Sequence, residues 1–379
     1  MGKLNRVGNA RVYGKGAFGT PFVPPQNPAT LTFFRALLAV SRVLVLSCLS
    51  LAGHPACADE NEPEPLVYRL GEGLHLPGTG MGVGGYATAS VDKLQHAPAR
   101  ATFEDISLFV WWEGESRWKF FSEFDFENLL STRSTGRDSD DRYLALERIY
   151  VDYALGDTTN IRAGKFLTPV GRWNLIHATP LVWTSSRPLI TLETFPTNVT
   201  GLMLNGTLSG LGDTDYSLYT SSGKEIRANP TLDPFNEVIG GHLTLPSLGG
   251  ARLGFSYAAF EQKKTRGENK ELYGLDFVWA RNRYEISAEG VYRFSDKGSS
   301  WDEKGYFVQV VAPLTEKLYA VGRYENFRKS LSPLATQLWV TGLNYRITPA
   351  IALKAEWIGS KNNTIGAPEG FMSSVSILF

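Results

Sequence analysis

Apolar and polar side chains alternate with a period of two along most of the chain from residue 80 onward. One segment interleaves aromatic with charged positions: Trp118, Phe120, Phe124 and Phe126 against Lys119, Glu123, Asp125 and Glu127. Such alternation predicts β-strands that have one apolar and one polar face. Sixteen segments of this kind predict an all-β fold: 80–91, 101–112, 118–129, 144–155, 160–167, 197–208, 214–221, 237–245, 251–260, 271–280, 283–294, 304–312, 317–326, 335–347, 351–359 and 370–379.

The lengths of the connections indicate which kind of sheet these strands form. Alternation alone is also compatible with a soluble sandwich, in which the apolar faces pack a core. Here the connections after even-numbered strands are short, as at 113–117, 156–159 and 348–350, whereas those after odd-numbered strands are generally longer and more polar. Short turns at one end and long loops at the other are typical of an up-and-down barrel. The sequence therefore predicts a transmembrane antiparallel β-barrel of sixteen strands.

The two ends of the chain indicate that this barrel is exported to a bacterial outer membrane. Residues 1–58 carry six basic residues and no acidic one, followed by an apolar run and Ala56-Cys57-Ala58, which is the order of a cleavable secretory signal. We therefore expect an N-terminal extension and signal peptide over 1–58, a periplasmic lead-in over 59–79 and the barrel over 80–379. The last strand ends on Phe379, which we expect to anchor at the membrane interface.

Charge and cysteine content argue against several other classes of protein. Residues 1–58 hold six of the 38 basic side chains and none of the 38 acidic ones, so the remaining chain has a formal charge of −6. This balance argues against nucleic acid as a partner. Both cysteines, Cys48 and Cys57, lie in the leader, so neither disulfides nor thiolate metal sites are expected in the mature chain. We predict no cofactor, no metal site and no catalytic residue.

The third long connection, Thr168 to Pro196, is far longer than the others and follows the fifth strand. With the basic leader, the sixteen strands and the terminal phenylalanine, it makes the chain resemble the outer-membrane porins of Gram-negative bacteria, whose third loop folds into the lumen. The resemblance implies a water-filled channel for passive diffusion of ions and small hydrophilic solutes. It also implies a homotrimer that contacts outer-membrane lipid and lipopolysaccharide and is inserted by the barrel-assembly machinery through its C-terminal strand.

A fainter similarity to the phosphate-selective porins covers residues 162–172 and 80–86. A dense series of inward arginines and lysines is missing, so we do not infer phosphate specificity. Trp173 and Trp183 of the third loop are candidates either for an apolar track for sugars or aromatic solutes or for anchors that hold the loop against the barrel wall. We favour the anchors.

The pore constriction is expected where the third loop faces the wall. Six residues on or beside the loop are predicted to line it: Arg162, Lys165, Arg172, His177, Arg187 and Glu193. A ring of basic side chains favours anions. The inward faces of the third and eleventh strands oppose this ring with carboxylates: Glu123, Asp125, Glu127, Glu285 and Glu289. A transverse field between the two sets of charges is therefore the alternative to a simple anion preference.

Three other functions compete with a diffusion channel. An outer-membrane hydrolase needs a nucleophile or a water molecule activated by a positioned base, often histidine. The four histidines after the leader, His75, His96, His177 and His242, are scattered and no catalytic signature surrounds a serine. A structural or adhesive barrel closed by its third loop is the second alternative. A fatty-acid type transporter is the third, and residues 59–79 are short for the N-terminal hatch that such a transporter requires.

Overall fold

The computed structural model describes residues 66–133, 136–138, 143–176, 178–227 and 233–379. The predicted extension and signal peptide, residues 1–58, lies outside the described residues. The helical segments that are described are short: Trp173–Ile176, Leu189–Glu193 (α1), Ser209–Leu211 and Lys263–Thr265. Within the described ranges, no helix has the length and apolar character needed to cross a bilayer.

Sixteen antiparallel strands form a closed barrel, as the alternation predicts. They are β1 (Met81–Leu94), β2 (Arg100–Glu113), β3 (Trp118–Arg133), β4 (Tyr143–Ala154), β5 (Thr159–Leu167), β6 (Asn198–Leu208), β7 (Thr214–Ser221), β8 (Phe235–Thr244), β9 (Ala251–Gln262), β10 (Lys270–Arg281), β11 (Tyr284–Ser295), β12 (Glu303–Pro313), β13 (Leu318–Arg328), β14 (Thr336–Thr348), β15 (Ile351–Lys361) and β16 (Gly370–Leu378). Each strand pairs with the next one along the chain. The ring closes where β16 pairs with β1, from Gly370 opposite Leu94 to Leu378 opposite Tyr86. The predicted strand count is confirmed, and the edges differ by a few residues.

Every connection after an even-numbered strand is a short turn. Two of them have only two residues, and in one of these, Asn282 and Arg283 have φ angles of 51° and 70°, the left-handed conformation that suits the twist of a two-residue hairpin. The connections after odd-numbered strands run longer, up to the segment between β5 and β6. In bacterial barrels the short turns lie in the periplasm and the long loops outside the cell. Below, the two rims are called the short-turn end and the long-loop end.

The two faces of the sheet differ in the way that a membrane barrel requires. Large apolar side chains stand exposed on the outer face, among them Leu218, Ile239 and Trp357. Charged side chains, such as Glu123 and Arg323, are buried on the inner face. Because lipid surrounds the outer wall, an apolar band there is favourable, while the charges meet the lumen.

A short hairpin before β1 completes the closing seam. Its two strands, Val67–Arg69 and Gly73–Leu76, pair with each other, and the second also pairs with Met81–Val83 at the start of β1. It continues the sheet beside the point where β16 ends, at Phe379, whose backbone N–H and C=O both bond to Gly85 at 2.8 Å. The edge of β1 is therefore paired both with β16 and, beyond the chain end, with the hairpin.

The indole of Trp111 packs over Gly82 and against the hairpin. A Cβ atom on Gly82 would lie 2.2 Å from the Trp111 ring, and Trp111 also contacts His75 edge to face at 5.6 Å between ring centroids. Substituting Gly82→Val should displace the indole and lower the free energy of unfolding by about 1–3 kcal/mol, the usual cost of overpacking. Urea unfolding followed by tryptophan fluorescence measures it.

The matched control for this substitution is Gly322→Val in β13. A Cβ there would meet no atom within 4 Å, so the stability should change by no more than about 0.5 kcal/mol. Equal losses in both variants would show that Trp111 packing at Gly82 is not the cause.

Candidate pore constriction

The segment Thr168–Pro196, called the third loop below, is tied at its base. The Thr168 hydroxyl donates to the carbonyl of Pro196 at 2.6 Å, and the Asn174 amide donates to the carbonyls of Thr168 and Thr197 at 2.9 and 3.1 Å. These bonds bring the outgoing and returning chain together where β5 ends and β6 begins. From this base the loop extends across the lumen, as its contacts with distant strands show.

Carboxylates on the inner wall accept the loop's backbone N–H groups. Glu289 of β11 accepts from Arg172 and Trp173 at 3.0 and 2.6 Å. Glu356 of β15 accepts from the N–H groups of Ser185 and Ser186 at 3.0 and 2.8 Å. Glu325 of β13 accepts from the N–H group of Leu189 at 2.6 Å. A non-repetitive loop buried in a barrel leaves backbone donors without partners, and these carboxylates supply the partners.

Cations from the same wall donate to the loop's carbonyl groups. Arg323 of β13 reaches the Ser186 carbonyl at 3.0 Å, Arg346 of β14 reaches that of Pro180 at 3.0 Å, and Lys354 of β15 reaches that of Thr184 at 3.2 Å. Arg293 of β11 binds the Thr194 carbonyl at 3.1 Å. Wall acids and bases thus satisfy the loop's donors and acceptors in turn, and hydrogen bonds to charged groups are stronger than neutral ones.

An apolar layer lies between the loop and the wall. Val170, Trp173, Val182, Leu189 and Ile190 of the loop are buried in one cluster with Phe166 and with wall residues that include Val291, Phe307, Phe327, Val340 and Ile358. Each such side chain contributes about 1.5–3 kcal/mol by leaving water. Trp173 belongs to this cluster, and the Trp183 indole donates to Glu285 at 3.0 Å. Both tryptophans contact the wall in the way the anchor interpretation expects.

These anchors all lie on one half of the barrel, from β9 to β16. The hydrogen bonds described above join the third loop to β11, β13, β14 and β15. The inner face of β3 is acidic: Glu123 pairs with Arg148, Asp125 accepts from Ser107 and Glu127 accepts from Tyr143. Glu123 and Asp125 are buried. Asp92 and Asp105 stand half-exposed on the same side. The predicted carboxylates of β3 therefore lie together, whereas Glu285 and Glu289 of β11 bind the loop.

Arg187 and Arg172 are the loop cations that remain free of carboxylate partners in the described part of the chain. Arg187 is half-buried, with its guanidinium carbon 5.4 Å from the ring centre of Trp173. It lies within electrostatic range of Asp105 and Glu127. Arg172 is exposed beside a small cavity of about 160 Å³ that Glu285 and Glu289 also line.

The other predicted constriction residues lie elsewhere. Arg162 forms a two-pronged pair with Asp152 at 2.7 and 2.8 Å near the short-turn end. Lys165 lies on the same face of β5 as the exposed Ile161, whereas Phe166 lies on the other face. The Lys165 side chain is buried in an ion pair with Glu225 at 3.2 Å. Glu193 pairs with Lys329 at 2.8 Å, and His177 lies outside the described residues. Strand alternation turns the Lys165 side chain away from the lumen, and Glu193 pairs with the nearer Lys329. The structure therefore brings neither residue to the acidic wall.

The inner wall also brings together three residues of types used in hydrolases. His242 Nδ1 lies 2.8 Å from Ser256 Oγ and 3.8 Å from Asp276 Oδ2. A catalytic triad needs the serine and the carboxylate on opposite ring nitrogens, but here both lie at Nδ1, and Nε2 contacts Thr244 Oγ1 at 3.0 Å. Ser256 Oγ also accepts the Gly171 N–H at 3.0 Å. These contacts hold the start of the third loop in place and do not form a catalytic triad.

A closed sixteen-stranded barrel with a loop folded into it has the architecture of the outer-membrane porins. Comparison with solved structures gives the same fold. The chain superposes on a Salmonella typhi OmpF complex with daunomycin with a TM-score of 0.60 at 9% identity, over 80% of this chain and 98% of that one. An anion-selective porin from Comamonas acidovorans gives a TM-score of 0.55 at 13% identity, over 79% of this chain and 97% of that one. The outer-membrane channel DcaP of Acinetobacter baumannii gives a TM-score of 0.55 at 12% identity, over the same shares.

Sequence comparison adds one relative. An uncharacterized protein of Aquifex aeolicus is 24% identical in an alignment 338 positions long, which covers 74% of this chain and 75% of that protein. No family model matches the chain. The comparisons therefore establish the porin barrel fold.

The wall carboxylates that hold the loop make a direct prediction about loop dynamics. Substituting Glu356→Ala leaves the Ser185 and Ser186 N–H groups without acceptors, which costs about 1–3 kcal/mol for each buried donor. Hydrogen exchange at these two amides, measured by mass spectrometry, should quicken by about 10- to 100-fold. Glu271→Ala is the control, since Glu271 accepts the Tyr273 hydroxyl on the outer face. Unchanged exchange in Glu356→Ala would remove Glu356 from the anchoring role.

Proposed function

We propose that the protein is a porin that forms a water-filled channel for passive diffusion of ions and small hydrophilic solutes. The observation that carries this proposal is the attachment of the third loop to the inner wall from β9 to β16. A sixteen-stranded barrel is too wide for its own side chains to fill, and the loop crosses the lumen to reach β9, β11, β13, β14, β15 and β16. A cavity of about 510 Å³ between the loop's start and β4–β7, lined by Arg148, Asn160 and Asn205 among others, supports a wet passage.

Opposite charges lie on the loop and on the wall. Asp105, Asp125 and Glu127 belong to the wall, and Arg187 belongs to the loop. The expected anion preference assumed that loop cations dominate, but Lys165 and Arg162 are neutralised by carboxylates. We therefore propose a transverse field with a weak preference for cations, since rings of carboxylates favour cations in pores.

Localisation and assembly are further parts of the proposal. The porin fold, the leader and the apolar outer band support residence in the bacterial outer membrane after export through the periplasm. A homotrimer, contact with lipopolysaccharide and insertion by the barrel-assembly machinery through β16 follow from the resemblance to porins. The outward position of Phe379 beside Gly85 at the short-turn end supports its role as an interface anchor.

The closed-barrel and hydrolase alternatives keep their own tests. The third loop, which has many hydrogen bonds to the wall, closes the lumen fully if the space beside β1–β4 is also blocked. The bilayer experiment below distinguishes this closed barrel from an open channel. The His242 cluster is the site that a hydrolase would use. Activity on lipid or ester substrates that disappears in His242→Ala would favour an enzyme, and we expect no such activity.

Refolded barrel in a planar bilayer should conduct. Discrete current steps in protein whose folding is confirmed by heat-dependent gel mobility are the expected result, and steps in groups of three would support the trimer. Folded protein that leaves the bilayer silent would contradict an open channel and favour the closed barrel.

The Arg187 side chain should set the balance of ion preference. In a tenfold salt gradient, for which perfect selectivity gives about 59 mV, Arg187→Ala should move the reversal potential toward cations. Asp105→Asn with Glu127→Gln should move it toward anions, because the wall loses negative charge. Lys361→Ala, at the end of β15 and exposed, is the control and should leave the potential unchanged. Equal potentials in all variants would place the constriction elsewhere.

A further inference from the structure

A cavity of about 510 Å³ lies between the start of the third loop and the wall strands β4 to β7, and it is called the β4–β7 cavity below. Its volume falls within the roughly 300–1,000 Å³ of sites that hold small molecules. Pro169 and Leu175 of the loop and Met203 of β6 give it an apolar part. Leu175 is 40% exposed, so the loop presents open apolar surface to a molecule in the cavity.

The wall strands add a row of uncharged polar side chains to the cavity. Asn160 of β5 is in register with Asn205 of β6, and Asn205 is in register with Ser217 of β7. Residues in register share one face of a sheet, and all three line the cavity and are partly exposed. The side-chain nitrogen of Asn205 has no hydrogen-bond partner among the described residues. Because amides and hydroxyls both donate and accept, this row suits a solute that carries several hydroxyl groups.

Two arginines that line the cavity are fixed in place and already paired. Arg162 donates to Asp152 through Nε and Nη2 at 2.7 and 2.8 Å, and Arg148 donates to Glu123 through Nε. Each guanidinium also lies over an aromatic ring of the wall, with its central carbon 3.7 and 4.6 Å from the ring centre. The bonds to Asp152 leave the Nη1 group of Arg162 to donate to a neutral oxygen, while the positive charge is balanced.

The carboxylates that line the cavity are likewise paired or screened. Asp215 of β7 accepts the Thr207 hydroxyl at 2.8 Å and lies 3.6 Å from the Arg252 guanidinium. Asp157 lies in the turn between β4 and β5 and is exposed, so water and salt screen its charge. A charged solute would therefore have to displace an existing partner, whereas an uncharged solute would not.

We propose that the β4–β7 cavity is a binding site for a small, uncharged, polyhydroxylated solute of monosaccharide size. This inference rests on the proposed channel function and names the class of solute that the channel binds during passage. The C–H face of the sugar ring packs on Pro169 and Leu175, and its hydroxyl groups bond to Asn160, Asn205 and the free Nη1 group of Arg162. A fully apolar solute would leave the amides unpaired, which costs free energy in a buried site.

The test measures binding by nuclear magnetic resonance of the refolded barrel in detergent, without any measurement of current. Labelling methionine methyl groups with carbon-13 gives three signals from residue 59 onward, those of Met81, Met203 and Met372. D-glucose should shift the Met203 signal in a saturable way, because this side chain lines the cavity. The signals of Met81 in β1 and Met372 in β16 are internal controls and should stay in place.

Charged analogues test the chemical class of the solute. Glucosamine and glucuronate keep the pyranose ring of glucose and add one positive or one negative charge. Both should bind at least tenfold more weakly than glucose, because the charges of the cavity wall are already paired.

Substitutions test the polar row. Asn160→Leu with Asn205→Leu should weaken glucose binding at least tenfold, since two hydrogen bonds to the solute are lost. Asn269→Leu is the matched control, because the Asn269 amide donates to Asp296 at 2.8 Å outside the cavity, and it should bind glucose as wild type does. If the double variant does not refold, Asn205→Ala replaces it, with an expected loss of about threefold.

Three outcomes would overturn this site. They are a Met203 signal that glucose leaves in place in folded barrel, equal shifts of all three methionine signals, and binding of either charged analogue as tight as that of glucose. The result is separable from the channel proposal. Saturable glucose binding to a barrel that is silent in a bilayer contradicts the channel alone, whereas a conducting barrel without a Met203 shift contradicts the sugar site alone.

Discussion

Every backbone N–H and C=O group in this protein needs a hydrogen-bond partner, both in the wall, which lipid surrounds, and in the crowded lumen. The architecture depends on that requirement. In the wall, ring closure between β16 and β1 pairs the strands without leaving an edge, and the hairpin Val67–Leu76 continues the pairing past the chain end. In the lumen, the third loop has no ladder of its own. Charged side chains of the wall take the place of a neighbouring strand.

The charges on the inner face consequently serve two purposes. On β11, β13, β14 and β15, acids and bases are used up in holding the loop, as with Glu289, Glu325, Arg346 and Lys354. On β3, the carboxylates bond instead to other wall residues: Glu123 to Arg148, Asp125 to Ser107 and Glu127 to Tyr143. The same chemical groups hold the loop on one set of strands and bond within the wall on another, and the path of the loop separates the two roles.

The alternation of apolar and charged residues was enough to predict the strands, because lipid outside and water inside impose opposite demands on successive positions. The same alternation could not predict what each inward charge does. Glu285 and Glu289 have the sequence pattern of Glu123 and Glu127, yet the first two bind the loop, and that difference arises from contacts with residues more than 100 positions away. Lys165 was assigned to the lumen by its nearness to the loop, although alternation from Ile161 turns it to the other face. Arg187 was predicted from loop composition, and its position opposite Asp105 depends on the loop's fold.

The central claim is that the third loop lies inside the barrel against β15 and β16. The hydroxyls of Ser185 in the loop and Ser374 in β16 lie 2.7 Å apart, so cysteines at both positions should form a disulfide. The most direct measurement is oxidation of the Ser185→Cys, Ser374→Cys protein in intact outer membranes, followed by mass spectrometry of the linked peptides. The account predicts near-complete crosslinking. Two free thiols that both react with a small maleimide after oxidation, in correctly folded barrel, would contradict it.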